Sequence, residues 1–161
     1  MLNKKIQNKT KLRDEINLIL NNHSLRNTLL ESQLIISYSA KRSNYLDIKF
    51  DEINIQEIEK IIEERLLGKP LSKIIKQKGF WKDIFYTDEN TLDPRSDSEV
   101  LIENIINDLN AQKDTQFNFV DLCCGTGCLG ISLLKEFQFS KCDFIDISSQ
   151  ALSNCKRNIS D

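Results

Sequence analysis

The sequence predicts an α/β protein: a helical N-terminal part, a short β-rich segment, then the first units of a nucleotide-binding sheet. Three observations predict it. Apolar residues of the first third fall at helical spacing. A glycine turn, Asp121-Leu-Cys-Cys-Gly-Thr-Gly-Cys-Leu-Gly130, lies between an apolar strand and a helical stretch. A second strand, Cys142-Asp-Phe-Ile145, ends in Asp146 and leads into the amphipathic run Ala151-Leu-Ser-Asn-Cys-Lys-Arg157.

The N-terminal part divides into three helices. Leu12, Ile16, Ile19 and Leu20 mark the first, and Leu30, Leu34 and Tyr38 the second. Ser24 is the expected N-cap of the second, and His23 is expected in the loop between them. A third helix spans residues 55–67, with Ile58, Ile61, Ile62 and Leu66 as its apolar stripe. Gly68 then Pro70 is the expected stop, a left-handed glycine followed by a helix breaker. Residues 1–75 are thus expected to form a helical unit with one apolar face left to dock.

Residues 76–93 change character. Gly79-Phe-Trp-Lys-Asp-Ile-Phe-Tyr-Thr87 is rich in β-formers and reads as a strand or hairpin linker. Trp81 is expected to be a packing anchor between domains. The polar run Thr91-Leu-Asp-Pro-Arg-Ser-Asp-Ser-Glu99 opens a helix that Ser96 or Asp97 can cap. Val100, Leu101, Ile105 and Ile106 are its expected buried face. Residues 110–116 read as a solvated linker into the strand Phe117-Asn-Phe-Val120, which is expected to be buried. Residues 94–161 form the third segment, with its first sheet helix expected from Ile131.

The chemistry concentrates at the glycine turn. Gly125 and Gly127 have no Cβ, so the backbone can bend sharply and approach a ligand closely. The helix behind them offers unpaired N–H groups. Asp146 follows Gly127 by roughly 20 residues, the place of an acid that accepts from both hydroxyls of a ribose. The spacing Gly125-x-Gly127-x-x-Gly130 also fits NAD or FAD, and a plain connecting turn is the alternative without a ligand.

Whole-chain features narrow the classes. The 161 residues are 40% apolar and 29% charged, with a net charge of −2. That balance gives no electrostatic case for direct nucleic-acid binding. The start, Met1-Leu-Asn-Lys-Lys-Ile, has no apolar core of a secretory signal. No segment reaches the ~18 consecutive apolar residues of a membrane span. A cytoplasmic location is expected. The five cysteines, Cys123, Cys124, Cys128, Cys142 and Cys155, lack paired Cys-x-x-Cys knuckles. They read as small buried residues of a reducing compartment, without a metal.

Several segments together resemble one family. Gly68-Lys-Pro-Leu71, Phe80-Trp81, the Thr91–Glu99 loop, the Asp121 turn and Asp146-Ile-Ser occur in order and at compatible spacing. The chain resembles the HemK/PrmC family of release factor glutamine methyltransferases over most of residues 65–161. The resemblance implies an N-terminal helical bundle, a β-hairpin linker and the first half of a Rossmann-like methyltransferase domain. It implies S-adenosylmethionine as cofactor and the glutamine of the Gly-Gly-Gln loop of class I peptide chain release factors as substrate. Cys123, Cys124, Gly125, Thr126 and Gly127 match its cofactor turn, and Asp146 its ribose acid. Asp121 matches an acid near the methionine end of the cofactor. Pro94, Arg95 and Glu99 match a loop near the cofactor pocket.

The sequence also departs from the family pattern. Cys123 stands where glycine is frequent, which is tolerable only if that position avoids positive φ. Asp93 stands where an apolar residue is common, and Ser96 where proline is common. The family's catalytic Asn-Pro-Pro-Tyr is absent: the two prolines are Pro70 and Pro94, and no Asn-Pro pair occurs. That motif holds the glutamine amide, a poor nucleophile, so catalysis rests on positioning. No catalytic residue is therefore assigned. The chain is expected to be an inactive N-terminal part of such an enzyme, whose complete form is a monomer. A two-stranded sheet carrying Phe119 and Ile145 would leave its edges exposed. Two other classes compete. One is a non-catalytic module that binds a release factor, which a pull-down would reveal. The other is half of a nucleotide-binding oxidoreductase, which would prefer NAD to S-adenosylmethionine.

Overall fold

Asn8 accepts the Thr10 N–H at 2.8 Å and so caps the first helix, α1 (Lys9–Asn22). Leu12, Ile16 and Leu20 are fully buried along it. The computed structural model describes residues 2, 8–112 and 114–160. The signal-peptide reading of the first residues therefore falls largely outside the described residues, as does Lys113 of the expected 110–116 linker. The chain divides into two units, Met1–Ile75 and Lys76–Asp161.

The first unit continues with α2 (Thr28–Ser39), α3 (Ile55–Leu66) and the short α4 (Leu71–Ile75). The N-cap of α2 is Asn27, in the left-handed region at φ 55°, and not Ser24. Its expected face is also corrected. Leu30 and Leu34 are exposed, while Ser32, Ile35, Ile36 and Ser39 are buried. Apolar residues surround this helix, so their spacing selects no face. The buried hydroxyls donate backwards, Ser32 to the Leu29 carbonyl at 2.7 Å and Ser39 to the Ile36 carbonyl at 2.9 Å. In α3 the expected stripe holds: Ile58, Ile61 and Ile62 are buried. Its end is a Schellman motif. The Gly68 N–H donates to the Arg65 carbonyl and the Lys69 N–H to the Glu64 carbonyl, with Gly68 at φ 94°. Pro70 does more than stop α3, because its carbonyl accepts from Lys73 and Ile74 and starts α4. Arg65 clamps Glu31 of α2 through two bonds, at 2.8 and 3.1 Å.

In the second unit, β1 (Gln77–Phe80) and β2 (Asp83–Tyr86) pair antiparallel, with Phe80 opposite Asp83. Trp81 takes the turn at φ 54°. Its backbone N–H donates to Glu99 at 2.9 Å, and its indole N–H donates to Glu136 at 2.9 Å. Its hydrogen-bond partners lie within this unit, and its ring packs against the cluster that holds Phe80, Phe85 and Phe137. The next helix, α5 (Glu99–Asp108), begins after a 3₁₀ turn at Ser96–Ser98, and no side chain caps it. Ile102 is its fully buried residue, whereas Val100 and Leu101 are exposed. The expected linker opens with a 3₁₀ turn at Asn110–Gln112, and residues 110, 111 and 114–116 are exposed, as expected of a solvated segment.

Strands β3 (Asn118–Leu122) and β4 (Lys141–Ile145) pair in parallel, Asn118 beside Lys141 and Leu122 beside Ile145. Two helices follow them, α6 (Cys128–Glu136) and α7 (Ser149–Ser160). Alternation sorts the side chains onto two faces. Phe119, Asp121, Cys142 and Phe144 are buried or half-buried, and the two phenylalanines pack with Ile131, Leu133 and Phe137. Asn118, Val120, Leu122, Lys141, Asp143 and Ile145 are all exposed. So β3 is not the wholly buried strand that its apolar residues suggested. It is covered on one face only.

Candidate functional site

The turn from β3 into α6 carries three left-handed residues in five. They are Cys123 at φ 61°, Gly125 at φ 55° and Gly127 at φ 77°. The condition set for Cys123 by its sequence position is therefore not met. A side chain stands where the backbone calls for glycine, and it is exposed to solvent. Gly127 closes the turn, its N–H donating to the Cys124 carbonyl at 2.7 Å, and it is the N-cap of α6. The helix thus begins at Cys128, three residues before the expected Ile131.

The end of β4 is tied to this turn. The Cys124 N–H donates to the Ile145 carbonyl at 3.0 Å. Asp146 accepts from the Gly125 N–H on one oxygen and from the Ser148 N–H on the other, both at 2.9 Å. These donations, Ser148 first and Gly125 next, hold the Asp146 carboxyl below the usual carboxylate range. It is half-buried and ionised at neutral pH, and each oxygen keeps a lone pair for a further donor. A Cβ built on Gly125 would meet nothing within 4 Å, so there is open space over the turn. The residues present fit a ribose-bearing group: an open glycine turn, with a charged acceptor beside it.

Asp121 lies beneath the turn. It is buried, and it accepts from the Gly130 N–H at 2.9 Å. Burial pushes its carboxyl up, the Gly130 N–H opposes that, and the charge of Asp146 adds to it. Gly130 permits this approach. A Cβ there would stand 2.5 Å from the Phe144 ring and 3.0 Å from the Asp121 carboxylate. Gly127 is equally constrained, since its Cβ would fall 2.6 Å from the Cys155 sulfur.

Cys124, Cys128 and Cys155 are buried, as expected, but Cys123 is exposed and Cys142 half-buried. Burial pushes the Cys142 thiol up to about 11 and the Cys155 thiol up to about 12. Such thiols remain protonated and act as small apolar groups. His23, at the end of α1, is exposed, with Nδ1 2.9 Å from the Ile19 carbonyl. Of the Thr91–Glu99 loop, Thr91 and Pro94 are buried, Arg95 is exposed, and Glu99 holds the Trp81 N–H. Asn154 and Asn158 carried no signal in the sequence. They stand one turn apart on α7, and both bond the segment that follows β2 or the end of β2 itself.

Residues 88–161 match the family model of the methyltransferase small domain. The chain is similar to the release factor glutamine methyltransferase of Leptospira interrogans. Identity is 39% over 97 residues, covering 60% of this chain and 34% of that protein. The corresponding enzyme of Buchnera aphidicola is 34% identical over 141 residues, covering 83% of this chain and 49% of the relative. A bifunctional methyltransferase of Rickettsia bellii is 26% identical over 163 residues, covering 83% and 29%. The chain spans less than half the length of each of these relatives.

Proposed function

We propose that the chain belongs to the HemK/PrmC family of release factor glutamine methyltransferases and that residues 94–161 supply the cofactor side of a Rossmann-like methyltransferase domain. S-adenosylmethionine, when bound, supplies an electrophilic methyl group. In this reading Asp146 accepts from the ribose hydroxyls. Gly125 and Gly127 let the backbone come close, framed by Cys123, Cys124 and Thr126. Asp121 lies toward the methionine end. The observation that carries the reading is Asp146 itself, fixed beside the open turn by the Gly125 N–H at 2.9 Å.

The substrate proposed from the names of the relatives is a class I release factor, methylated on the glutamine of its Gly-Gly-Gln loop. Residues 1–75 are assigned to recognising it. The residues that orient the glutamine amide are not among these 161, which hold no Asn-Pro pair. The 161-residue polypeptide alone is therefore expected to transfer no methyl group from labelled S-adenosylmethionine to a release factor. Methyl transfer above a no-enzyme control would show that groups within these residues orient the amide.

Titration calorimetry tests the cofactor assignment. S-adenosylmethionine is expected to bind in preference to NAD. In a chain extended to complete the domain, Asp146→Ala should weaken that binding by about 1–3 kcal/mol, as for the loss of charge-assisted hydrogen bonds. A preference for NAD would replace this reading with the oxidoreductase. Equal affinity of variant and parent would remove Asp146 from the site.

A further inference from the structure

One side chain of α7 joins two backbone segments that have no regular pairing with each other. Asn158 accepts the Tyr86 N–H at 2.7 Å and donates to the Tyr86 carbonyl at 3.0 Å. Its other amide hydrogen goes to the Thr126 carbonyl at 2.9 Å. Tyr86 is the last residue of β2, and the next residue, Thr87, turns its N–H the opposite way, to the Lys76 carbonyl. The Tyr86 polar groups therefore face away from β1 and would be an open strand edge. The Asn158 amide takes the place of a neighbouring strand there, using one acceptor and both donors. Thr126 lies in the turn between Gly125 and Gly127 and is buried. A buried carbonyl needs a donor, and Asn158 provides one.

Neighbouring contacts hold the same segment against the same helix. Asn154, buried one turn earlier, donates to Asp88 at 2.7 Å. The Arg157 guanidinium lies 3.7 Å from the centre of the Tyr86 ring.

We infer that Asn158 is a positioning residue for the cofactor turn. By bonding Thr126 and Tyr86 with one planar amide, it sets where the turn stands relative to β2 and the loop after it. This rests on the reading of residues 123–127 as the cofactor turn. The chemistry requires a group that donates twice and accepts once in one plane. A carboxylate of the same shape accepts only.

The test compares the parent 161-residue chain with Asn158→Asp. The variant keeps the acceptor for Tyr86 but faces two carbonyls with oxygen. The Gly127 amide, which shares its peptide group with the Thr126 carbonyl, is expected to exchange with solvent roughly tenfold faster, as for the loss of about one hydrogen bond to its peptide. Exchange at Ile102 and Leu133, buried elsewhere in the second unit, should not change, which separates a local effect from general instability of that unit. S-adenosylmethionine affinity should fall by a similar factor in calorimetry. Unchanged Gly127 exchange in the folded variant would overturn the inference. The parent supplies a measurement that needs no substitution. Its Asn158 side-chain amide protons should exchange far more slowly than those of the exposed Asn21 and Asn22. Equally fast exchange would overturn the inference as well. Neither exchange measurement needs the cofactor, so both judge Asn158 apart from the proposed function.

Discussion

Replacing Cys123 with glycine is expected to stabilise the second unit. Cys123 holds φ 61°, where a Cβ crowds the following carbonyl. That conformation costs a residue other than glycine roughly 1–2 kcal/mol. Glycine removes this cost but gives the unfolded chain more freedom, which takes back about 0.4–1 kcal/mol. The Cys123 side chain is exposed, so little burial is lost with it. The net gain is about 0.5–1 kcal/mol, or a rise in midpoint of roughly 2–8 °C for a domain of this size. The assay is built into the protein. Trp81 is the sole tryptophan, and its indole is bonded to Glu136 within the second unit. Its fluorescence through a urea titration follows the unfolding of that unit. Cys123→Ala is the control, because alanine keeps the Cβ and should gain nothing. If Cys123→Gly were no more stable than Cys123→Ala, backbone strain at this position would be refuted.

What the sequence made legible follows from how sharply each local pattern is drawn. The turn at 123–127 and the acid Asp146 were readable because strand, glycines and helix follow one another with no competing signal. Helix α3 was readable because charged and apolar residues alternate at one period and Gly68 ends it. Helix α2 was readable as a helix but not in its orientation. With leucines and isoleucines all round, which side is buried depends on what it meets in three dimensions. The same holds for α5, where Val100 and Leu101 looked as apolar as Ile102, yet Ile102, Ile105 and Ile106 pack on the phenylalanine cluster while Val100 and Leu101 are exposed. In β3 the residues Phe119 and Val120 suggested burial, but only Phe119 lies on the covered face, so burial belongs to the face and not to the strand. Cys123 shows a limit of another kind, since its left-handed backbone was signalled only by the glycine frequent there in the family and not by the residue itself. Asn158 was invisible because its partners are backbone groups distant in sequence.

The remaining predictions concern the groups packed under the turn. Gly127→Ala combines φ 77° with a Cβ 2.6 Å from the Cys155 sulfur. It should cost about 2 kcal/mol or more in the urea titration. Adding Cys155→Ala should relieve the contact, so the double variant is more stable than the sum of the single changes; simple additivity would argue against the clash. Gly130→Ala should cost about 1–3 kcal/mol, because its Cβ would press on the Phe144 ring and the Asp121 carboxylate; a neutral result would mean that this close approach is not needed. Asp121→Asn should raise stability at pH 7, and the gain should depend on pH with a definite sign. Burial raises the Asp121 carboxyl above its ordinary value, so the folded state favours its neutral form. That contribution is fully present below the ordinary carboxylate value of about 4 and is lost as pH rises through the raised one. Asparagine keeps an acceptor for the Gly130 N–H and carries no charge at any pH. The two proteins should therefore differ most near neutrality and converge as pH falls below about 4, where Asp121 is itself neutral. Asp146, whose carboxyl is shifted the other way, titrates in both proteins and largely cancels from the comparison. Urea midpoints at pH 7, 5 and 4 measure the gap. A gap that stays constant or widens in acid would show that the buried charge of Asp121 is not what the substitution removes.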